Sequence, residues 1–425
     1  MLKQVIYSYI ILPSLIGAAK LVSIKNKKVR DTLAGHKQAL ERIEIALGNQ
    51  EKSESPVWFH VASAGEYLQA LPVMERLMND GFKCALTITS VSGYRWANKR
   101  KDQYKNLILL DYFPADTEQN VNKLLDAINP SIIVYVKFDL WPNLIWETKK
   151  RDIPQYLISA TLHSKSKRLT SGIARAFYNS MYLCLDKILT VTDNDKQLFL
   201  RSSPDHKHIQ TIGDTRFDSV LDRKKNLSPP NLPDFVKDRT VIILGSIWPA
   251  DEHHIFTPLV KALNNFKDIL IVAAPHETDE GHLKAIEKTF SAFNPIRFTQ
   301  QEFSEENRVL IVDTVGQLSS LYAYANIAYV GGAFSTGVHN TMEPAAMGVP
   351  AIFGPFFQNS PEAINMVQAK KCFSIKNESE FDALLDKLLT DVTYRQNAGE
   401  SASEYIHAQA GASDICFNTI KECIS

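Results

Sequence analysis

The sequence predicts an α/β protein in which two Rossmann-like, doubly wound domains face a central cleft, with an apolar leader in front of them. The chain has 425 residues, which is too long for one compact core and suits two domains of ordinary size. Short β-branched runs alternate with longer amphipathic stretches, which is typical of βαβ units around a parallel sheet. A proline-rich segment at 226–235 interrupts this alternation, which then starts again.

Composition argues against several classes of protein. Lys and Arg together number 47, as do Asp and Glu, so no overall charge attracts the chain to nucleic acid. The five cysteines show no CxxC pair, which argues against a disulfide framework or a zinc site and favours a reduced, cytoplasmic compartment. A chain that is 45% hydrophobic and 22% charged is globular rather than disordered.

Residues 1–30 form the predicted leader. The uncharged run 5–19 is shorter than the ~20 apolar residues that a spanning helix needs, and Pro13 and Lys20 weaken such a helix further. The cleavage site that a signal peptide needs is not evident. We therefore predict a monotopic anchor in the cytoplasmic leaflet, with the basic run 25–30 at anionic head groups. The alternative is a helix buried on the protein's own core.

The two domains are predicted at 31–225 and 236–392, with a linker at 226–235 between them. The first domain has near-continuous apolar strand candidates, as a sheet covered on both faces requires, at 57–62, 84–90, 106–112, 131–137, 154–160, 187–192 and 209–214. The candidates in the second are 240–246, 268–275, 308–314, 326–333 and 349–355. Helices are predicted at 117–129, 169–186 and within the tail 393–425, which in two-lobed folds can pack back on the first domain.

Glu66 follows the first predicted strand and allows two interpretations. Ser63 and Glu66 have the spacing of a capping box, in which Glu66 accepts a hydrogen bond from the Ser63 backbone N–H. Ala64 and Gly65 leave this turn nearly bare, and the turn lies at the carboxyl end of a parallel strand, where ligands of such sheets bind. On the second interpretation Glu66, kept ionised by the helix dipole, takes a proton from an alcohol.

The longest patterned stretch, 313–355, predicts a nucleotide site. A strand ends in Gly331 and Gly332, a loop follows, and a helix begins near Glu343. Bare glycines and a helix N-terminus together suit a phosphate, and Glu343 is placed to accept hydrogen bonds from two ribose hydroxyls. The structural alternatives are tight strand-to-loop packing for the glycines and a first-turn helix acid for Glu343.

Five motifs follow one another along the chain: HVASAGE (60–66), LWPNLI (140–145), GDTRFD (213–218), DTVGQLSSLYAYANIAYVGG (313–332) and GVHNTMEPAAMGVPAIFGP (337–355). In this order they resemble the transferases of 3-deoxy-D-manno-octulosonic acid (Kdo) in lipopolysaccharide synthesis. The last motif is also similar to the nucleotide-sugar site of GT-B glycosyltransferases. The resemblance covers nearly the whole chain and implies a GT-B fold. It implies transfer of Kdo from CMP-Kdo to a lipid A precursor at the cytoplasmic face of the bacterial inner membrane, with inversion and without a metal or cofactor.

The resemblance also implies roles for residues. Glu66 matches the catalytic base. The residues expected at the donor are Arg216, Ser246, His276, Gly331, Gly332, His339, Asn340 and Glu343. Those expected at the acceptor are Ser63, Gly65, Asp139, Lys165, Lys167 and Arg168, where the three cations belong to HSKSKR (163–168), a segment that either meets lipid phosphates or is an ordinary solvated loop.

Three segments depart from the family pattern. The segment 137–139 (Lys-Phe-Asp) stands where the family often has Glu-Thr-Glu, and GSIWPADEHH (245–254) replaces a more polar stretch. His276 lacks the arginine that usually precedes it. Departure of CMP without a metal needs cationic side chains, and Arg216 and His276 are the ones expected to meet the CMP phosphate or the Kdo carboxylate. The adjacent histidines within 245–254 do not share a helical face, so no metal site is predicted there.

Two other function classes stay open on the sequence alone. A sugar-nucleotide epimerase or a UDP-sugar transferase has the same two-domain cleft but needs no lipid leader, and competition between CMP and UDP separates it from a CMP-Kdo enzyme. A non-catalytic, membrane-peripheral protein that keeps the cleft binds CMP tightly and turns over no donor.

Overall fold

The computed structural model describes residues 2–48, 55–300 and 302–425, and these form two compact units. The first unit holds the described residues up to Ser219 together with Ala410–Ser425, and the second holds Val220–Gln409. Within the described ranges, each unit is built around one seven-stranded parallel sheet. The prediction of two Rossmann-like, doubly wound α/β domains is confirmed.

The first sheet has the strand order β3-β2-β1-β4-β5-β6-β7. Its strands in the described part of the chain are β1 (Val57–Val61), β2 (Cys84–Ile88), β3 (Leu107–Tyr112), β4 (Ile132–Val136), β5 (Gln155–Ala160), β6 (Lys187–Thr190) and β7 (Ile209–Thr211). Each of them lies inside a run that the sequence predicts. The order reverses between β1 and β4, so the carboxyl ends of these two strands form the switch point at which such sheets bind ligands.

The second sheet has the order β10-β11-β9-β8-β12-β13-β14, with its switch point between β8 and β12. Its described strands are β8 (Thr240–Ile247), β9 (Ile269–Pro275), β10 (Pro295–Arg297), β11 (Val309–Ile311), β12 (Ile327–Val330), β13 (Ala351–Phe353) and β14 (Phe373–Ser374). The sequence did not predict β10 and β14, the two edge strands. They have three and two residues, too few for a periodic pattern.

Helices connect the strands. Those up to the division between the units are α1 (Leu2–Ile6), α2 (Leu12–Lys25), α3 (Lys27–His36), α4 (Ala39–Gly48), α5 (Ala64–Asn79), α6 (Val91–Asn98), α7 (Glu118–Ile128), α8 (Pro142–Lys150), α9 (Lys167–Thr170), α10 (Gly172–Tyr182), α11 (Asp193–Ser202) and α12 (Thr215–Lys225), which crosses it. The remainder are α13 (Pro249–Asn265), α14 (Glu280–Thr289), α15 (Leu318–Leu321), α16 (Met342–Ala346), α17 (Pro361–Gln368), α18 (Glu378–Thr390), α19 (Val392–Ala408) and α20 (Ala412–Ile424).

One helix prediction is wrong in its continuity. The stretch 169–186 forms the end of α9 and then α10, with a break at Ser171. The Ser171 hydroxyl accepts from the Ala174 N–H at 3.4 Å and caps the second helix, which is a structure that serine favours over a helix interior.

Both faces of the first sheet are buried. Successive residues of β4 alternate between two apolar clusters: Ile133 and Tyr135 join one, and Ile132 and Val134 join the other. Such burial explains why β4 reads as a continuous apolar run. The C-terminal helix α20 contributes Cys416 to the second cluster, where it packs against α5.

The leader forms α1 and α2, joined by a π-helical turn at Tyr7–Ile11. Its helical span Leu2–Lys25 has 24 residues and a mean hydropathy of 1.7 in its most apolar 18-residue window, so by length and composition it is long enough to cross a membrane. This differs from the sequence expectation, because the helix continues through Pro13 and Lys20. The π-helical turn ends at Ile11, two residues before Pro13, and such a turn changes the hydrogen bonds of a helix locally.

The N-terminal half of the leader is docked on the first unit. Tyr7 is buried, and its ring lies 6.2 Å from the rings of Trp146 and Phe177. Three hydrogen bonds accompany this contact: Lys3 Nζ to the Ala176 carbonyl (2.7 Å), Gln4 Nε2 to Glu147 Oε1 (2.6 Å) and Ser8 Oγ to Asn143 Oδ1 (3.0 Å). Much of the remaining apolar surface is exposed, including Leu2, Val5, Tyr9, Ile10, Leu15, Leu21, Val22 and Ile24.

Candidate active site

Glu66 lies in the first turn of α5, directly after β1, and caps that helix. The Ser63 hydroxyl accepts a hydrogen bond from the Glu66 N–H (3.4 Å), and Glu66 Oε2 accepts one from the Ala62 N–H (2.5 Å). The Glu66 carboxylate reaches back over the start of the helix as the sequence predicts, and the backbone N–H groups of both Ala62 and Ser63 lower its pKa. Because a carboxylate has two oxygens that accept hydrogen bonds, the role of helix cap does not exclude that of general base.

The environment of Glu66 suits a proton acceptor. Glu66 is only 5% exposed, and this burial raises its pKa to about 7. The Ala62 N–H and the charge of Lys137 act in the opposite direction, while the charge of Asp139 acts in the same direction as burial. Burial therefore acts against the ionised form of Glu66 that the sequence analysis expects, and it is the largest of these effects on the pKa. A carboxyl group that titrates near neutral pH is well matched to general-base catalysis.

The turn before Glu66 has room for a substrate. A methyl group added at Gly65, which is exposed, meets one atom within 4 Å, the Ser63 hydroxyl oxygen at 3.9 Å. The packing of the described residues therefore does not require glycine at this position. Open space at Gly65 lets a substrate approach the backbone of this turn.

Asp139 and Arg168 reach the same edge of the first sheet. Asp139 follows β4, which pairs with β1, so the register brings its carboxylate to the side of Glu66. Arg168 donates to the Phe138 carbonyl at 3.3 Å, and its guanidinium lies 5.6 Å from the centre of the Phe138 ring. Lys165, just before α9, and Lys167, the first residue of α9, are exposed to solvent.

Arg216 lies in the first unit, at the beginning of α12, and is engaged by a buried carboxylate. Its Nε and Nη2 donate to Asp214 Oδ2 at 2.9 and 2.7 Å. Burial alone favours a higher pKa for Asp214, but the charge and hydrogen bonds of Arg216 lower that pKa overall. The donor role of Arg216 stays a prediction.

In the second unit, the two glycines after β12 allow close backbone packing. A Cβ atom at Gly331 collides with the backbone of Ser246, which itself has a left-handed conformation (φ 54°). The Gly331 N–H donates to the Gly245 carbonyl (2.8 Å), and the Gly332 N–H donates to Asp251 Oδ2 (2.8 Å). These two N–H groups are therefore engaged within the protein, and the packing explanation of the glycine pair accounts for both.

Three aromatic rings stack beside these glycines. The rings of Trp248 and His276 lie 4.3 Å apart, and those of His276 and His339 lie 4.7 Å apart. The Trp248 Nε1–H donates to His339 Nε2 at 3.1 Å. Because Nε2 accepts this bond, a neutral His339 carries its proton on Nδ1. Burial, together with the neighbouring charge of His276, lowers the pKa of His339 and favours this neutral form.

Glu343 lies in the first turn of α16 and is paired with a cation from α12. Its Oε1 accepts from Arg223 Nη1 at 2.8 Å, and both side chains are mostly buried, at 17% and 23% exposure. Lys224, the next residue of α12, donates to the carbonyl of Ala346 at the end of α16 (2.6 Å). Asn340 accepts from the Met342 N–H at 3.0 Å, so its side chain supports the turn into α16.

Sequence reasoning missed Arg223 and Trp248, and it also missed His60, whose Nε2 lies 3.1 Å from Asp139 Oδ2. Arg223 belongs to DRKK (222–225), which reads as the solvated, basic end of a helix. Trp248 lies in a segment that departs from the family pattern, and His60 sits inside an apolar strand. The one local signal was polarity within an apolar run, which marks His60.

In the described ranges, groups of three or more His, Cys, Asp or Glu side chains placed to hold a metal ion are not found. The stacked histidines instead contact one another and Trp248.

A sequence profile and two known proteins similar to this chain carry the same description. The sequence profile described as 3-Deoxy-D-manno-octulosonic-acid transferase (kdotransferase) matches residues 37–219. A 3-deoxy-D-manno-octulosonic acid transferase of Chlamydophila psittaci is 26% identical over 381 residues, which cover 86% of this chain and 85% of that protein. The enzyme of the same description from Haemophilus influenzae is 22% identical and covers 94% of this chain and 93% of its own length.

Solved structures with low sequence identity share the fold. A UDP-GlcNAc 2-epimerase from Neisseria meningitidis matches with a TM-score of 0.62 at 13% identity, over 86% of this chain and all of that one (100%). A glycosyltransferase from Rickettsia africae matches with a TM-score of 0.57 at 13% identity, over 88% of this chain and 99% of that one. With two parallel seven-stranded sheets in the described residues, the chain has the GT-B fold.

Proposed function

The chain belongs to the family of 3-deoxy-D-manno-octulosonic acid transferases, and on this premise we propose that it moves Kdo from CMP-Kdo to a lipid A precursor. The observation that carries the proposal is Glu66, a buried carboxyl group at the switch point of the first sheet with a pKa of about 7. Such a group is able to take a proton from an acceptor hydroxyl at neutral pH.

The proposed reaction is a single displacement without a metal ion. Glu66 removes the proton of the acceptor hydroxyl while that oxygen forms a bond to the anomeric carbon of Kdo. The bond between this carbon and the phosphate oxygen of CMP breaks, and CMP leaves with the electron pair. Attack from the side opposite the leaving group inverts the configuration at the anomeric carbon.

The donor is proposed to bind in the second unit around β12 and α16. Glu343 has the chemistry to accept hydrogen bonds from the ribose hydroxyls of CMP, and the Nδ1–H of neutral His339 has that of a donor to phosphate. The Gly331 and Gly332 N–H groups donate to protein acceptors, so we propose that cationic side chains meet the charge of the phosphate. His276 and Arg216 stay the predicted cations for that task.

We place the protein at the cytoplasmic face of the inner membrane, held there by the leader as a peripheral or monotopic anchor. The docked half of the leader supports this arrangement, because Tyr7 and its hydrogen-bonded neighbours tie the helix to the first unit. The exposed half presents Leu21, Val22 and Ile24 beside the basic residues that follow. An apolar surface next to cations suits an anionic bilayer.

Charge placed on the exposed half of the leader is expected to release the protein from membranes. In the double variant Leu21→Glu, Ile24→Glu, two side chains that are 71% exposed no longer gain from burial in lipid. Burying each one is worth roughly 1.5–3 kcal/mol, so binding to vesicles of anionic phospholipid is expected to fall at least tenfold per site. Flotation with such vesicles measures this, and thermal unfolding is expected to stay unchanged.

The matched control is Val315→Glu, which alters an exposed apolar side chain in the second unit, outside the leader. It is expected to float like the unaltered protein. If the leader variant floats equally well, the leader does not anchor the chain.

Nucleotide preference tests the proposed function against the other classes with the same fold. We expect CMP to raise the midpoint of thermal unfolding and UDP to have little effect, since a ligand at a hundred times its Kd adds about 2.7 kcal/mol to the free energy of unfolding. Stabilisation by UDP without stabilisation by CMP would reject the CMP-Kdo donor and favour a UDP-sugar enzyme.

A further inference from the structure

His60 is an uncommon residue for the centre of a parallel sheet. It lies in β1 with no exposed surface, and its ring nitrogens contact two different polar groups. Nδ1 lies 2.9 Å from Thr87 Oγ1, and Nε2 lies 3.1 Å from Asp139 Oδ2. Both partners come from neighbouring strands: Thr87 is opposite His60 in β2, and Asp139 follows β4.

The hydrogen-bonding pattern fixes the direction of each bond. An ionised Asp139 only accepts, so His60 Nε2 must carry the proton of that bond. In a neutral imidazole Nδ1 is then an acceptor, and the Thr87 hydroxyl donates to it. Thr87 Oγ1 in turn accepts from Trp58 Nε1–H at 2.9 Å, so a buried indole orients the hydroxyl. The chain of hydrogen bonds therefore runs from Trp58 through Thr87 and His60 to Asp139.

Three donors converge on one oxygen of Asp139. Besides His60, the Trp141 Nε1–H (3.3 Å) and the Thr89 hydroxyl (3.4 Å) point at Oδ2. Three converging donors hold this carboxylate in place. The Asp139 side chain is 20% exposed, so it is anchored from the interior while it borders solvent.

We propose that His60 is a positioning residue for the general base: it holds the Asp139 carboxylate at the end of β4, where the charge of Asp139 acts on Glu66. The inference rests on the proposed function only for the role of Glu66 as the base. It goes beyond that function because it assigns a purpose to a buried histidine and to the acid that follows β4.

Other charged groups near Glu66 come from the elements around it. Lys137, also after β4, has the opposite effect on Glu66, and its ammonium lies 5.2 Å from the centre of the Phe138 ring. Arg168 lies on that same ring. His36, from α3, contacts the Thr89 carbonyl at 2.7 Å, and burial lowers its pKa, which favours the neutral form at pH 7. Asp139 and Lys137 are thus two opposed charges whose removal has opposite expected effects.

The test is a direct titration of Glu66 in the full chain. Carboxyl-labelled ¹³C-glutamate is incorporated, and the Glu66 resonance is assigned by its loss in Glu66→Gln. Asp139→Asn is expected to lower the titration midpoint by roughly one pH unit, and Lys137→Met is expected to raise it. Asp126→Asn, which removes an exposed aspartate of α7, is the matched control and is expected to leave the midpoint unchanged.

His60→Phe tests the positioning role. If His60 acts through Asp139, this substitution moves the midpoint in the otherwise unaltered chain and has no further effect in the Asp139→Asn background. Thr87→Val removes the hydroxyl that orients His60 and gives the same test if His60→Phe does not fold. An unmoved or raised midpoint in Asp139→Asn overturns the proposal, and so does an equal shift from His60→Phe in both backgrounds.

The titration needs neither donor nor acceptor, so it separates this inference from the proposed function. If the Glu66 midpoint shifts as expected but no Kdo is transferred, the proposed function is rejected and the positioning role is retained. If Kdo is transferred but the midpoint does not shift as expected, the positioning role is rejected and the proposed function is retained. Where transfer occurs, the low-pH limb of kcat/KM is expected to move with the titration midpoint in each variant.

Discussion

Glu66→Gln is expected to lower kcat by roughly 10²–10⁴-fold, the range that a general base commonly contributes. Glutamine retains an oxygen that accepts from the Ala62 N–H, so the cap of α5 is kept while the proton acceptor is lost. KM for the acceptor is expected to change little, because the substitution keeps the size of the side chain. Initial rates of CMP release at saturating donor and acceptor measure the effect.

Relative to the unaltered chain, Glu66→Gln is also expected to become more stable as the pH rises. The pKa of Glu66 is raised to about 7 in the folded chain, so between the unfolded pKa and pH 7 the folded state binds more protons and the free energy of unfolding falls with pH. In the unaltered chain the stabilising contribution of protonated Glu66 is fully present below the unfolded pKa and is lost as the pH rises through 7. Relative to the unaltered chain, Glu66→Gln should gain at most about 3 kcal/mol between pH 5 and pH 8. Urea unfolding at both pH values measures this gain.

Glu118→Gln is the matched control for both measurements, since Glu118 is an exposed first-turn acid of another helix, α7. It is expected to keep its turnover and to show no gain in stability with pH. Retained turnover in Glu66→Gln would restrict Glu66 to its capping role.

Glu343→Gln is expected to weaken CMP binding roughly ten- to hundredfold, because each hydrogen bond to a charged group contributes about 1.5–3 kcal/mol. The loss should depend on the ribose hydroxyls. In the unaltered chain 2′,3′-dideoxy-CMP is expected to bind more weakly than CMP, and in Glu343→Gln the two ligands should bind alike. Isothermal titration with both ligands completes this cycle.

Arg223 gives a second handle on the same carboxylate. Since Arg223 Nη1 holds Glu343 Oε1 at 2.8 Å, Arg223→Gln is expected to weaken CMP binding in the same direction as Glu343→Gln. Lys225→Gln, which removes an exposed cation of the same helix, is the control and is expected to bind CMP normally. Tighter CMP binding by Arg223→Gln would mean that Arg223 competes with the ribose. If Glu343→Gln keeps the preference for CMP over its dideoxy analogue that the unaltered chain shows, Glu343 does not bind the ribose.

The strands were predictable because burial on both faces leaves a mark in each strand itself. β1 and β4 are continuous apolar runs, and their sequences indicate their extent to within one or two residues. β10 and β14 were not predictable, since two or three residues at a sheet edge carry no periodic signal. The break at Ser171 depends on one side-chain cap, which competes with the apolar pattern around it.

The position of Glu66 was predictable, but its protonation behaviour was not. The turn after β1 indicates a cap and a backbone left bare at Gly65, and both are local properties. The pKa depends on burial and on Asp139, which lies 73 residues further along the chain (139 − 66 = 73) and reaches Glu66 only because β4 pairs with β1. Sheet order decides that neighbourhood, and the sequence of either strand does not contain it.

The residues of the second unit show the same limit. Gly331 and Gly332 are recognisable as bare backbone, whereas the acceptors of their N–H groups, the Gly245 carbonyl and Asp251, come from β8 and α13. Arg223 pairs with Glu343 from a helix 120 residues earlier (343 − 223 = 120). A basic helix end is normally solvated, so its sequence gave no reason to assign it a partner.

The most direct test of Kdo transfer is mass spectrometry of the acceptor after incubation with CMP-Kdo. The full chain, purified in detergent, is mixed with CMP-Kdo and a tetraacylated lipid A precursor in the presence of a chelator. We predict that the acceptor gains the mass of one or more Kdo residues, that CMP appears in equal amount, and that Glu66→Gln gives neither product. An acceptor of unchanged mass, with donor intact and the protein folded, would contradict the proposed activity.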